Sequence, residues 1–139
     1  MSRLAVPLLP RRVRYAGVAA ALAVIVYYSL LSAPPSSPGD TPFWDKHLHF
    51  VAYAGLALAL AYATVRYRDR PGLRTALVFG GALAVGVAIE LLQGTLPNRY
   101  FGRGDLLANA LGSALVGVWF VVERRVRYVR ARRLLDAAT

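Results

Sequence analysis

Four long apolar runs, separated by short polar segments, organise this chain. Tyr15 to Ala33 carries no charge, Leu48 to Val65 only His49, and Thr75 to Leu96 only Glu90 and Gln93 as strongly polar members; Leu106 to Val122 has only Asn109. A helix needs roughly 17 to 25 residues to cross a hydrocarbon core, and each run is about that long. A soluble alternative would have to cover four helices that are apolar nearly all round. A chain of 139 residues buries too little surface for that. The pattern therefore predicts an all-α polytopic membrane protein, a bundle of four transmembrane helices over residues 15–122. A basic N-terminal segment (1–14) and a basic C-terminal tail (123–139) flank it.

Charge follows the runs. The formal net charge is +10, which in a soluble domain would suggest nucleic acid. Here Arg3, Arg11, Arg12 and Arg14 precede the first run, Arg66, Arg68, Arg70 and Arg74 lie between the second and third, and Arg124, Arg125, Arg127, Arg130, Arg132 and Arg133 follow the fourth. Only Lys46, Arg99 and Arg103 belong to the other side. The positive-inside rule then places both termini in the cytoplasm of a multi-pass plasma-membrane protein, with the remaining two loops outside. The inner arginines fix topology and touch anionic lipid, and no nucleic-acid partner is expected.

The first apolar run is longer than a signal-peptide core, and Leu31-Ser32-Ala33 is a poor cleavage site, so helix 1 is expected to stay attached. Cysteine is absent, which rules out disulfides, thiolate nucleophiles and cysteine metal sites. Ala33 to Asp40 is a Pro/Ser-rich connector that cannot continue a helix. Thr41-Pro42 resembles a cap followed by a first-turn proline, so helix 2 should begin near Phe43 with Trp44 at headgroup level. Arg70-Pro71-Gly72 reads as a short turn between antiparallel helices 2 and 3.

Helical spacing sorts the polar residues onto faces. Lys46, His49, Phe50 and Tyr53 project together while His47 points roughly opposite; Ala82, Gly86, Glu90 and Gln93 form a second stripe, and Asp105, Asn109, Gly112 and Ser113 a third. Small residues alongside polar ones allow close backbone approach, the mark of inward bundle faces. The three stripes converge on one outer-leaflet pocket bounded by helices 2, 3 and 4 and the loop around Arg99.

These residues carry a resemblance. Asp45-Lys46-x-x-His49-Phe50-x-x-Tyr53 opening one helix, Glu90-x-x-Gln93 ending the next, Arg99, and Asp105-Leu106-x-x-Asn109-x-x-Gly112 together resemble the VanZ-like family of small membrane proteins over about half the chain. The family is named for a protein that gives low-level teicoplanin resistance in glycopeptide-resistant bacteria. The resemblance implies a polytopic cell-envelope protein, with antibiotic response as the associated function.

Each site residue also has a purely structural reading. Asp105 can cap helix 4, Lys46 can snorkel to the interface, and His49 can donate to a backbone carbonyl. Tyr53 can pack with its hydroxyl on a neighbour, and Asn109 can hold helices together. Glu90 lies about one turn inside helix 3, where an unpaired carboxylate costs several kcal/mol, so it needs Lys46, His49 or Arg99 as partner.

Three functional classes follow. In the first, Lys46, His49, Tyr53, Glu90, Gln93, Arg99, Asp105 and Asn109 bind an envelope lipid, a lipid-linked precursor or an amphiphilic glycopeptide-like compound. In the second, Glu90, His49 or Asp105 acts catalytically in a membrane-embedded hydrolase or transferase, although no nucleophile is recognisable. In the third, the cluster only holds a scaffold together. No cofactor or metal is expected, because His47 and His49 diverge on a helix and no ligand spacing is present. Transport is disfavoured, since no charged path continues inward.

Overall fold

Each apolar run becomes a helix that begins a few residues before the run, in more polar sequence. The computed structural model describes residues 4–32, 39 and 43–131. Helix α1 spans Arg11–Leu31, following Pro10, and its last turn widens over Tyr27–Leu31 before Ser32 turns extended. Helix α2 spans Trp44–Ala63. Helix α3 spans Pro71–Gln93, with proline in its first turn where a missing N–H costs nothing. Helix α4 spans Arg103–Glu123 with a slight break at Leu115.

By length and composition α1, α3 and α4 could cross a membrane. Helix α2 has 20 residues, and its opening turns carry Asp45, Lys46, His47 and His49, which keep it outside that set. The outside carries many large apolar side chains: Leu31, Val51, Leu107 and Val118 are each more than half exposed, while the polar Glu90, Asn109 and Ser113 are fully buried beside an apolar core. An apolar exterior of this kind is compatible with lipid as the surrounding solvent.

The core lies between α1, α2 and α3, where Ile25, Tyr53, Leu56, Ala57, Ala61, Val78, Ala82 and Ile89 pack together with Val116 of α4. Alanines and glycines let the helices approach closely. The tightest approach is α4 on α2: a Cβ on Gly112 would overlap the Phe50 carbonyl, with the carbonyl carbon only 2.9 Å away. Glycine is required there sterically.

Two expectations about elements are corrected, while the start of α2 beside Phe43 is as expected. The chain is mostly helical but not all-α: strand β1 (Leu4–Leu8) pairs in parallel with β2 (Val126–Arg130), Leu4 opposite Val126 and Leu8 opposite Arg130. The segments expected to be basic tails thus meet at one end of the bundle. The Tyr62 hydroxyl fixes them, donating to the Pro7 carbonyl (2.7 Å) and accepting from the Leu9 N–H (2.9 Å). Pro71 and Gly72 belong to α3, and the turn joining α2 to α3 instead uses the short helical stretch Val65–Tyr67 and the Arg70 N–H bonded to the Tyr67 carbonyl. Helix α2 starts after Phe43, which adopts a left-handed conformation (φ 61°). The proposed Thr41-Pro42 cap, most of the Ala33 to Asp40 connector, and Arg3, Arg132 and Arg133 lie outside the described residues.

Candidate functional site

The first two turns of α2, the last of α3 and the first two of α4 meet at the end of the bundle opposite the strands. Their contacts form one polar cluster. Lys46 makes an ion pair with Asp105 and a second with Asp45 at 3.2 Å. His49 Nδ1 contacts Asn109 Oδ1 at 2.9 Å. An amide oxygen only accepts, so Nδ1 carries a proton and donates, and in the neutral ring Nε2 keeps the lone pair. That Nε2 faces Asp45 Oδ1 at 3.8 Å.

Glu90 is fully buried behind the histidine. Its Oε2 accepts from the Gly102 backbone N–H at 2.9 Å, whereas Oε1 has no hydrogen-bond partner and stands 3.9 Å from His49 Nδ1. The Tyr53 hydroxyl and Asn109 Nδ2 are likewise buried without a partner among the described residues. Buried polar groups left unbonded cost roughly 1–3 kcal/mol each, and three of them lie together here.

Several pairings differ from expectation. Asp105 does not cap α4, which starts after Gly102 without a side-chain cap; it lies in the first turn, where the helix dipole favours an acid, and binds Lys46. Lys46 therefore reaches across to α4 and does not simply snorkel. Glu90 pairs with neither Lys46 nor Arg99. The Arg99 guanidinium turns to the end of α1, donating to the Ser32 carbonyl at 2.5 Å and the Tyr28 carbonyl at 3.3 Å. Gln93 does the same with the Ser29 carbonyl at 3.1 Å. Carbonyls at the end of a helix are natural acceptors for such donors.

Beside the cluster lies a cavity of about 270 Å³ between α1, α2 and the end of α3. Val24, Ile25, Leu48, Val51 and Ala52 make it apolar, and Asp45, His49, Tyr53, Gln93 and Arg99 contribute its polar atoms. The sequence reading placed the pocket among helices 2, 3 and 4. The cavity instead has α1 as one wall, while Asp105 and Asn109 stand behind His49, outside its lining. His49 joins cavity and cluster.

A second buried polar group, at the strand end, escaped the sequence reading. Arg74 forms a two-pronged ion pair with Glu123, Nη2 to Oε1 at 2.9 Å, and donates to the Ala61 carbonyl at 2.7 Å. Both side chains are almost fully buried. Tyr128 donates to Glu123; burial, together with that bond to a carboxylate, holds its hydroxyl well above the usual phenol range. Glu123 is the only acid in the sequence between Asp105 and Asp136, a lone carboxylate at the end of an apolar run, and that was the signal for a buried partner.

In comparisons with known proteins, no family model, no curated protein and no solved structure matches this chain. The site's chemistry therefore rests on its own geometry: carboxylates, an ammonium and an imidazole under a narrow apolar cleft.

Proposed function

We propose that the chain is a multi-pass protein of the cell membrane, with α2 as the fourth span, both termini cytoplasmic and the polar cluster under the outer headgroups. The asymmetry of the arginines supports this orientation, with Lys46, Arg99 and Arg103 the cations of the opposite end. In this reading the cavity takes an apolar chain of an envelope lipid, a lipid-linked precursor or an amphiphilic glycopeptide-like compound. The polar head meets Asp45, His49 and Arg99. The motif resemblance to VanZ-like proteins points the same way, toward a change in the envelope's response to such compounds.

The observation that carries the proposal is that His49 is at once a wall of an apolar cavity and a member of a buried cluster with unbonded polar atoms. An amphiphile needs that pairing of surfaces. Glu90→Gln tests it. The amide can still accept from the Gly102 N–H, so the unfolding temperature in detergent should stay near that of the wild type. Retention of a radiolabelled lipid-linked precursor, and any change in teicoplanin susceptibility of an expressing strain, should be lost. Unchanged retention and susceptibility in a folded Glu90→Gln protein would overturn the proposal.

A further inference from the structure

We infer that Asp45, His49 and Asp105 form a binding site for a divalent transition-metal ion. One ligand atom from each lies within 4.8 Å of the other two. Zinc bonds to nitrogen and oxygen are about 2.0–2.2 Å, so the three donors need only a small contraction to share an ion. Asp45, the exposed member at the start of α2, can supply it by a rotamer change.

Three features of the surroundings point to a cation. The first is the histidine: its Nδ1 proton is committed to Asn109, so Nε2 is the ring atom that faces the Asp45 carboxylate at 3.8 Å. A metal ion there takes the place of a proton on Nε2 and is ligated by both groups. Metal-binding imidazoles are held in this way, the far ring N–H tied to an oxygen that fixes tautomer and orientation. The second is Glu90, fully buried, with Oε1 unbonded and directed at the ring from behind at 3.9 Å. A carboxylate in that position raises the basicity of a ligating imidazole. The third is charge. Asp45, Glu90 and Asp105 are three carboxylates, and among the described residues Lys46 is ion-paired to Asp45 and Asp105 but not to Glu90. A divalent ion offsets what one ammonium leaves.

Lys46 now occupies the space between the two aspartates, so an incoming ion must displace it. Its side chain is 39% exposed and can swing to the interface. One nitrogen and two carboxylate oxygens favour zinc or manganese over magnesium, and three protein ligands leave coordination positions open toward the cavity. This inference goes beyond the proposed amphiphile binding and does not depend on it.

The test uses the full chain in detergent, stripped with a chelator and titrated with Zn²⁺ and separately with Mg²⁺ by calorimetry. The wild type should bind about one Zn²⁺ per chain with little response to Mg²⁺. Asp45→Asn and His49→Gln should weaken binding at least tenfold, and Asn109→Ala about ten- to a hundredfold through the ring's orientation. His47→Gln, on the exposed opposite face of α2, should bind as the wild type does. Lys46→Met should bind more tightly, a gain that a purely structural ion pair would not give. Asp45 is exposed, so its variant stays informative if changes at Asp105 disturb folding. No zinc binding by the wild type, equal binding by Asp45→Asn and His49→Gln, or loss of binding in His47→Gln would overturn the inference.

Discussion

At the scale of single residues, the decisive quantity is what a side chain meets when lipid denies it water. Asn109 is fully buried and ties α4 to α2 through His49, and Gly86 leaves room for it: a Cβ there would sit 3.2 Å from Asn109 Nδ2 and 3.3 Å from Tyr53 Cε1. At Gly112 the obstacle is backbone. Gly112→Ala should therefore lose about 1–3 kcal/mol in reversible unfolding, and Gly86→Ala, against side chains that can yield, clearly less. Equal losses would contradict the close approach of α4 to Phe50. Residue-level legibility was good for faces and poor for pairs. Spacing of three and four placed Lys46, His49 and Tyr53 on one side and His47 on the other, as burial bears out. Spacing could not reveal that Lys46 would choose Asp105 or that Arg99 would leave the cluster, because those choices depend on where the loop before α4 and the end of α1 arrive.

At the scale of elements, arginines finish helices. Arg14 donates to the Tyr62 and Ala63 carbonyls at the end of α2 (3.1 and 3.2 Å), Arg68 to the Glu123 carbonyl at the end of α4, and Arg99 to the end of α1. A cation there satisfies open carbonyls and complements the helix dipole. By charge pattern the strand-end arginines read as topology markers that touch anionic lipid. Arg74 departs furthest from that reading, being buried against Glu123. Removing one member of a buried pair strands the other, so Glu123→Ala should cost about 3–5 kcal/mol, whereas Arg74→Met with Glu123→Leu should recover most of that loss. Thermal unfolding of the three variants in one detergent checks both statements. The strands were not legible because Leu4–Leu8 contains a proline and both segments are only five residues long. Their order depends on Tyr62, a residue 53 positions away from Leu9. Tyr62→Phe should consequently raise amide hydrogen exchange across residues 4–8 while leaving exchange in α3 unchanged.

At the scale of the whole molecule, the outside is largely apolar around an apolar core with a few buried polar groups, and the apolar exterior is legible in the four runs of the sequence. The chain has no cysteine, so single introduced ones are clean reporters. In intact cells, Tyr100→Cys, in the exposed loop before α4, should react with a membrane-impermeant maleimide, and Arg127→Cys in β2 should react only after lysis. The reverse pattern would place the cluster on the cytoplasmic face.

The central claim is that the cavity beside His49 holds an amphiphile from the membrane. Native mass spectrometry of the protein extracted in mild detergent tests it directly, with Ala52→Phe narrowing the cavity wall and Val118→Phe, on an exposed face of α4, as control. The account predicts one retained lipid or lipid-linked species per wild-type chain, kept by Val118→Phe and lost by Ala52→Phe. A wild-type protein that retains nothing, or a folded Ala52→Phe protein that retains the same species in the same amount, would contradict it.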